Sequence, residues 1–211
     1  MAFAYGAFAF AFRGPRDRFW QRMTATGLAL GTLAVATDTR LRRTRIRARD
    51  VTLGLGSAAA LYAIFREGDR MARRIMPGGG EQIDDVYRLR QLRPRGELAA
   101  RLAFAIGPAE ELFWRGFVQR RFASAIGRWP AAVAAAGSYG GAHLATGNLT
   151  LTGAAAVAGA YWSALAAAGM PMGALIVSHV AWDIWIFLIS PTAEPPDASD
   201  ARRPGGTVVL G

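Results

Sequence analysis

The chain has 211 residues, 52% of them hydrophobic and 19% charged, with a mean hydropathy of +0.18. Its formal net charge is +10, every basic side chain is arginine, and cysteine is absent. Disulfides, thiol catalysis and thiolate metal sites are thereby excluded. Zinc-finger spacing, an RNA-binding aromatic signature and a phosphate-cradling glycine loop followed by lysine are all missing, so nucleic acid is not supported as a partner.

In chain order, residues 1–22 read as an N-terminal interfacial or partly inserted arm. Met1 to Phe12 alternates Ala with Phe and Tyr, and it lacks the basic start of a secretory signal. Residues 23–97 are expected to hold two short membrane segments, 23–37 and 51–65, joined by arginine-rich connectors. Both apolar runs fall short of the roughly 20 residues a span needs, so they must recruit flanking residues. Phe19 and Trp20 would anchor the first at the membrane interface. Arg40, Arg42, Arg43, Arg45, Arg47 and Arg49 follow it directly and read as a cluster beside anionic headgroups, which makes membrane lipids a partner. Residues 66–97 are expected to be a mixed-charge connector, with one interfacial helix around 83–92.

Residues 98–190 form the expected membrane core. From Trp129 to Trp182 there is no Asp, Glu, Lys or Arg, a run with room for two or three spans. Gly147-Asn148 and Gly169-Met170-Pro171 are its break points. Apolar segments are expected at 98–122, 130–145, 151–168 and 172–189. Arg120, Arg121 and Arg128, set against the uncharged turn at 145–150, argue for a cytoplasmic Arg120 end, but arginine clusters on both sides of the early segments and the long arginine-rich connector leave the orientation open. The tail, 191–211, is polar and proline-rich and is expected to be disordered. The fold class that follows is all-α: a polytopic transmembrane helix bundle of about five to six spans enclosing a polar cavity.

Ionisable groups inside a bilayer are expensive, and those that occur there pair with one another or serve a function. Glu111 and Arg115 stand four apart with the acid on the N-terminal side, the favourable order for a pair on one helix face. Glu110 points about 100° away round the helix, free to act as a base. Glu110, Glu111 and Arg115 could equally be an ion-pair network at a helix end. His143 and His179 are the only histidines. His143 shares a face with Tyr139, and His179 shares one with Asp183. A buried histidine is often only a hydrogen-bonded core residue, but two on separate spans, one beside a carboxylate, suggest a common site. Gly137 and Gly141 would permit close helix approach near His143. Two histidines and two acids could also ligate zinc, although His-Glu-x-x-His is absent. So is Gly-x-Ser-x-Gly.

Glu110-Glu111-Leu112-Phe113-Trp114-Arg115, with Gly116-Phe117 after it, resembles the first motif of the CAAX protease and bacteriocin-processing (CPBP, or Abi) family of intramembrane glutamic endopeptidases. Tyr139-Gly140-Gly141-Ala142-His143 resembles the second motif, with Tyr in place of the usual Phe. His179-Val180-Ala181-Trp182-Asp183 resembles the third. The resemblance spans about 98–189 and implies hydrolysis of a peptide bond in a membrane-associated protein or peptide, without metal or other cofactor. It implies that Glu110 with His143 activates water, that His179 with Asp183 faces the oxyanion, and that Glu111 and Arg115, with Tyr139, support them. It also implies an integral protein of a bacterial cytoplasmic (inner) membrane. Because the family is linked to bacteriocin immunity as well, a non-catalytic immunity or scaffold protein that binds peptides is the alternative. A small transporter would call for an inverted repeat, and none is visible.

Overall fold

The computed structural model describes residues 1–76 and 78–192. From residue 193 onward the tail expected to be disordered lies outside the described residues. Every regular element among the described residues is helical: α1 (Ala2–Phe12), α2 (Phe19–Thr37), α3 (Ala48–Ile75), α4 (Gly79–Arg88), α5 (95–126), α6 (Arg128–Ala142), α7 (Leu149–Ala167) and α8 (Met172–Ile189). The centre of the bundle is α5, which packs against α2, α6, α7 and α8; α6 lies along α7, and α8 along α3.

Two of these helices, α7 and α8, are long and apolar enough to cross a membrane. The expected five to six spans therefore exceed what length and composition alone support. The reasons are local: α6 has only 15 residues, α3 runs on into charged sequence, and α5 carries the ionisable cluster in its middle. Large apolar side chains nevertheless face outward on several helices. Phe104 on α5 is 83% exposed and Val133 on α6 is 75% exposed, a surface suited to lipid or to another protein.

Turn chemistry ends the helices where the sequence suggested. Gly147 (φ 68°) and Gly169 (φ 96°) take the left-handed backbone that closes α6 and α7. The Asn148 side chain then accepts from the Leu151 N–H at 2.7 Å and caps α7. Within α5, Pro108 has no N–H to offer the Phe104 carbonyl, and the backbone widens into a π turn over Leu102–Ile106. A second π segment, Leu112–Gln119, follows the paired glutamates, so Glu110 and Glu111 sit on a short α-helical step between two wide turns.

Three local expectations are corrected. The second apolar segment does not stop at Phe65, because α3 continues to Ile75. Charged pairs on its surface, Glu67 with Arg70 and Asp69 with Arg73, support this extension, and Arg73 reaches Asp84 on α4 at 2.9 Å. Trp20 is not an exposed anchor: it is buried and its Nε1 donates to the Leu89 carbonyl at 2.8 Å, fixing α2 to the end of α4. The close approach near His143 uses other glycines. A Cβ at Gly137 would meet open space, whereas one at Gly140 would come within 3.0 Å of Ala156 and one at Gly159 within 2.9 Å of Tyr139.

The arm expected over residues 1–22 contains α1, which enters the core. Ala4, Phe8 and Ala11 are buried on one side of it, and Phe3 and Phe10 are exposed on the other.

Candidate active site

All seven residues singled out in the sequence are buried, none more than 6% exposed. Glu110, Glu111 and Arg115 come from α5, Tyr139 from α6 and His143 from the 3-10 turn that ends it, and His179 and Asp183 from α8. They form two groups that share Arg115 and Tyr139 as their border.

In the first group, the Tyr139 hydroxyl donates to Glu110 Oε2 at 2.9 Å. The Tyr139 carbonyl lies 2.9 Å from His143 Nδ1. A carbonyl only accepts, so Nδ1 carries the proton and Nε2 of the neutral ring presents a lone pair. One residue thus holds a carboxylate by its side chain and an imidazole by its backbone. The His143 ring is enclosed by Tyr139 (4.8 Å between centroids), Phe8 (5.1 Å) and Phe12 (5.5 Å).

In the second group, Glu111 Oε1 accepts from Arg115 Nη1 at 2.9 Å and from His179 Nδ1 at 2.8 Å. The i to i+4 pair anticipated on α5 is present. The contact with His179, 68 positions away, is not one that local spacing could suggest. Asp183 Oδ2 stands 3.7 Å from His179 Nε2, too far for a hydrogen bond, so Glu111 is the tighter partner of this histidine. Arg115 also donates to the Gly159 carbonyl at 3.2 Å. Its guanidinium lies over the Tyr139 ring at 4.8 Å and the Trp162 ring at 5.3 Å. A buried guanidinium held by one carboxylate, one carbonyl and two aromatic faces is compensated on most sides.

This arrangement depends on small residues. Gly159 lets Tyr139 lie against α7, and the same residue's carbonyl receives Arg115. Gly107 similarly lets α5 approach α8, since a Cβ there would come within 2.8 Å of Val180.

Among the described residues, no three His, Asp or Glu side chains converge as a metal-ligand set. The two closest donors, Glu111 and His179, share their space with Arg115, whose positive charge opposes a cation. Residues 97–185 match the family model described as type II CAAX prenyl endopeptidase Rce1-like.

Residues 97–185 are thus similar to the Rce1-like endopeptidases.

This stretch contains all seven site residues and excludes α1, α2 and α3. No curated protein and no solved structure matches the chain. The matched stretch contains all of α7 and most of α8, the two helices long and apolar enough to cross a membrane.

Sequence reasoning missed Phe8, Phe12, Trp162 and Ser178 around the site. The first two lie outside the domain and carry no motif. Trp162 had a faint signal, being half of a Tyr-Trp pair in a helix otherwise built mainly of Ala, Gly, Thr and Leu. An apolar groove of about 330 Å³ opens beside the site, lined by Phe65, Ile83, Val157, Trp182 and Phe187 among others. The polar cavity expected in the bundle is not this groove. Trp182 forms its boundary with the site, meeting Trp162 edge-on at 5.6 Å.

Proposed function

We propose that the protein is an integral membrane endopeptidase that hydrolyses a peptide bond of a membrane-associated protein or peptide with a glutamate-activated water. The observation that carries this reading is the division of labour between adjacent carboxylates. Glu111 is engaged by Arg115 and His179, whereas among the described residues Glu110 receives only the Tyr139 hydroxyl. Glu111 Oε2 is also without a partner among them, but Arg115 and His179 hold its other oxygen, whereas the Glu110 carboxylate is bonded to a neutral phenol and is the freer of the two to take a proton from water.

In the proposed reaction the water oxygen attacks the scissile carbonyl carbon while its proton passes to Glu110, with His143 Nε2 orienting the water through its lone pair. The carbonyl oxygen becomes an oxyanion facing His179 and Asp183. The tetrahedral intermediate collapses, the C–N bond breaks, and Glu110 returns the proton to the leaving amine. An ionised Asp183 would repel the oxyanion. Asp183 therefore acts protonated, as a hydrogen-bond donor, or acts through His179. No step requires a metal, and the pairing of Glu111 and His179 with Arg115 supports a metal-independent mechanism.

Six membrane segments fit this reading: α2, the apolar first part of α3, α5, α6, α7 and α8, in a bacterial cytoplasmic membrane. The arginines at 40–49 meet anionic headgroups, and the apolar groove beside Trp182 offers room for the apolar part of a substrate. The test is a proteomic comparison of membranes from cells carrying the wild type and Glu110→Gln. A peptide that accumulates uncleaved only with the variant supports the reading. Identical peptide profiles, with both proteins expressed, favour a peptide-binding scaffold.

A further inference from the structure

His179 has one more close neighbour than the hydrogen bonds reveal. The Trp162 ring stacks on its imidazole with centroids 4.0 Å apart and planes 19° from parallel. Trp162 is fully buried, and its own orientation is fixed: Nε1 donates to Ser178 Oγ at 3.0 Å, Ser178 Oγ lies 2.9 Å from Ser57 Oγ, and the Tyr161 hydroxyl donates to the Ser57 carbonyl at 2.9 Å. This chain ties α7, α8 and α3 together immediately behind the imidazole. Ser57 lies outside the stretch that matches the Rce1-like model.

We propose that Trp162, locked by Ser178 and Ser57, is a positioning residue that fixes the ring plane of His179 so that Nδ1 faces Glu111 and Nε2 faces Asp183. The one hydrogen bond, from Nδ1 to Glu111, leaves the imidazole free to tilt about it. A parallel aromatic face removes that tilt. The electron-rich face of indole also favours positive charge on a stacked ring, as required of a histidine that faces an oxyanion. A Leu in this place would fill much of the volume and supply neither effect.

The inference rests on the proposed function only for its catalytic consequence; the ring geometry can be tested without catalysis. Full-length protein in detergent micelles, with ring-labelled histidine, gives signals from two residues, which His143→Gln assigns. In the wild type, the His179 ring protons should be displaced upfield by the indole, and the Nδ1–H signal should be protected from exchange. Trp162→Phe should keep both features, and Trp162→Leu should lose both. Ser178→Ala, which frees the indole N–H but keeps the ring, should leave the displacement in place and broaden it.

With a prenylated CAAX peptide as the probe substrate, Trp162→Leu should lower kcat roughly tenfold at unchanged KM, and Trp162→Phe should recover most of it. If Leu and Phe variants share the same His179 signals, or lose activity equally in step with their melting temperatures, the positioning role is overturned. If the wild type cleaves neither this peptide nor any peptide of its own membranes in the proteomic comparison, but the histidine signals behave as expected, the endopeptidase reading is at fault and the positioning of His179 stands.

Discussion

The two histidines occupy opposite surroundings. His143 sits among three aromatic rings and, among the described residues, its one hydrogen-bonding partner on the ring is a neutral backbone carbonyl. His179 is bonded to a carboxylate, faces a second and stacks on an indole. A neutral partner fixes the tautomer and leaves a lone pair available. A carboxylate partner adds a charge-assisted hydrogen bond that holds the ring in place. One residue type thus presents a lone pair among apolar rings in one place and joins a charged network in another, with the difference set by what each Nδ1 touches.

The largest expected effect comes from Glu110, on the His143 side. Glu110→Gln should lower cleavage by ~10²- to 10⁴-fold with little change in thermal unfolding in detergent. Glu111→Gln, on the His179 side, should damage both activity and stability. It leaves Arg115 buried without its carboxylate, at a cost of about 3–5 kcal/mol. Full activity in purified Glu110→Gln protein would remove the distinction between the two sides.

Replacing each histidine by Gln should sharpen the contrast. Both variants should lose activity, but His179→Gln should also be less stable by about 1–3 kcal/mol, because a hydrogen bond to a buried carboxylate is lost. Unfolding of the two variants side by side measures this, and equal stability would mean that the Glu111 contact contributes little.

A smaller effect is expected from Tyr139→Phe, which keeps the ring beside Gly159 and Arg115 and removes only the hydroxyl on Glu110. Cleavage should fall about tenfold and stability by about 1 kcal/mol. Loss of all activity would instead give the hydroxyl a direct part in catalysis.

Asp183→Asn should retain substantial activity, because Asn keeps the shape and supplies a permanent donor, whereas Asp183→Ala should lose most of it. The 3.7 Å gap to His179 motivates this milder expectation. Equal damage from Asn and Ala would assign Asp183 to orienting His179 through charge. The smallest effect of all is expected from chelators, which should leave activity intact; elemental analysis showing one tightly held metal per chain, lost together with activity, would reverse the mechanism.

Much of the site was legible because its parts are local. The i to i+4 relation joined Glu111 to Arg115, and glycine punctuation divided the charge-free run into α6, α7 and α8. Contacts between distant positions were not legible. Glu111 with His179, Phe8 with His143 and Trp162 with His179 arise from how helices pack, and no periodicity within one helix encodes them. Hydropathy also ended α3 too early, since charges paired on a helix surface extend a helix as well as apolar residues do. In the same way, a tryptophan beside a charged turn looked like an interfacial anchor until its N–H was found on the Leu89 carbonyl.

The placement of α1 has a consequence for how the site could be altered. Phe8 and Phe12 close one side of His143 from outside the stretch that matches the Rce1-like model, so the candidate site and part of its enclosure belong to different stretches of chain. Substitutions along the first dozen residues can widen or narrow access to His143 without touching a motif residue. Diversification of the proposed enzyme toward new peptides can therefore begin in its least recognisable segment, and a search restricted to the three motifs would not see it.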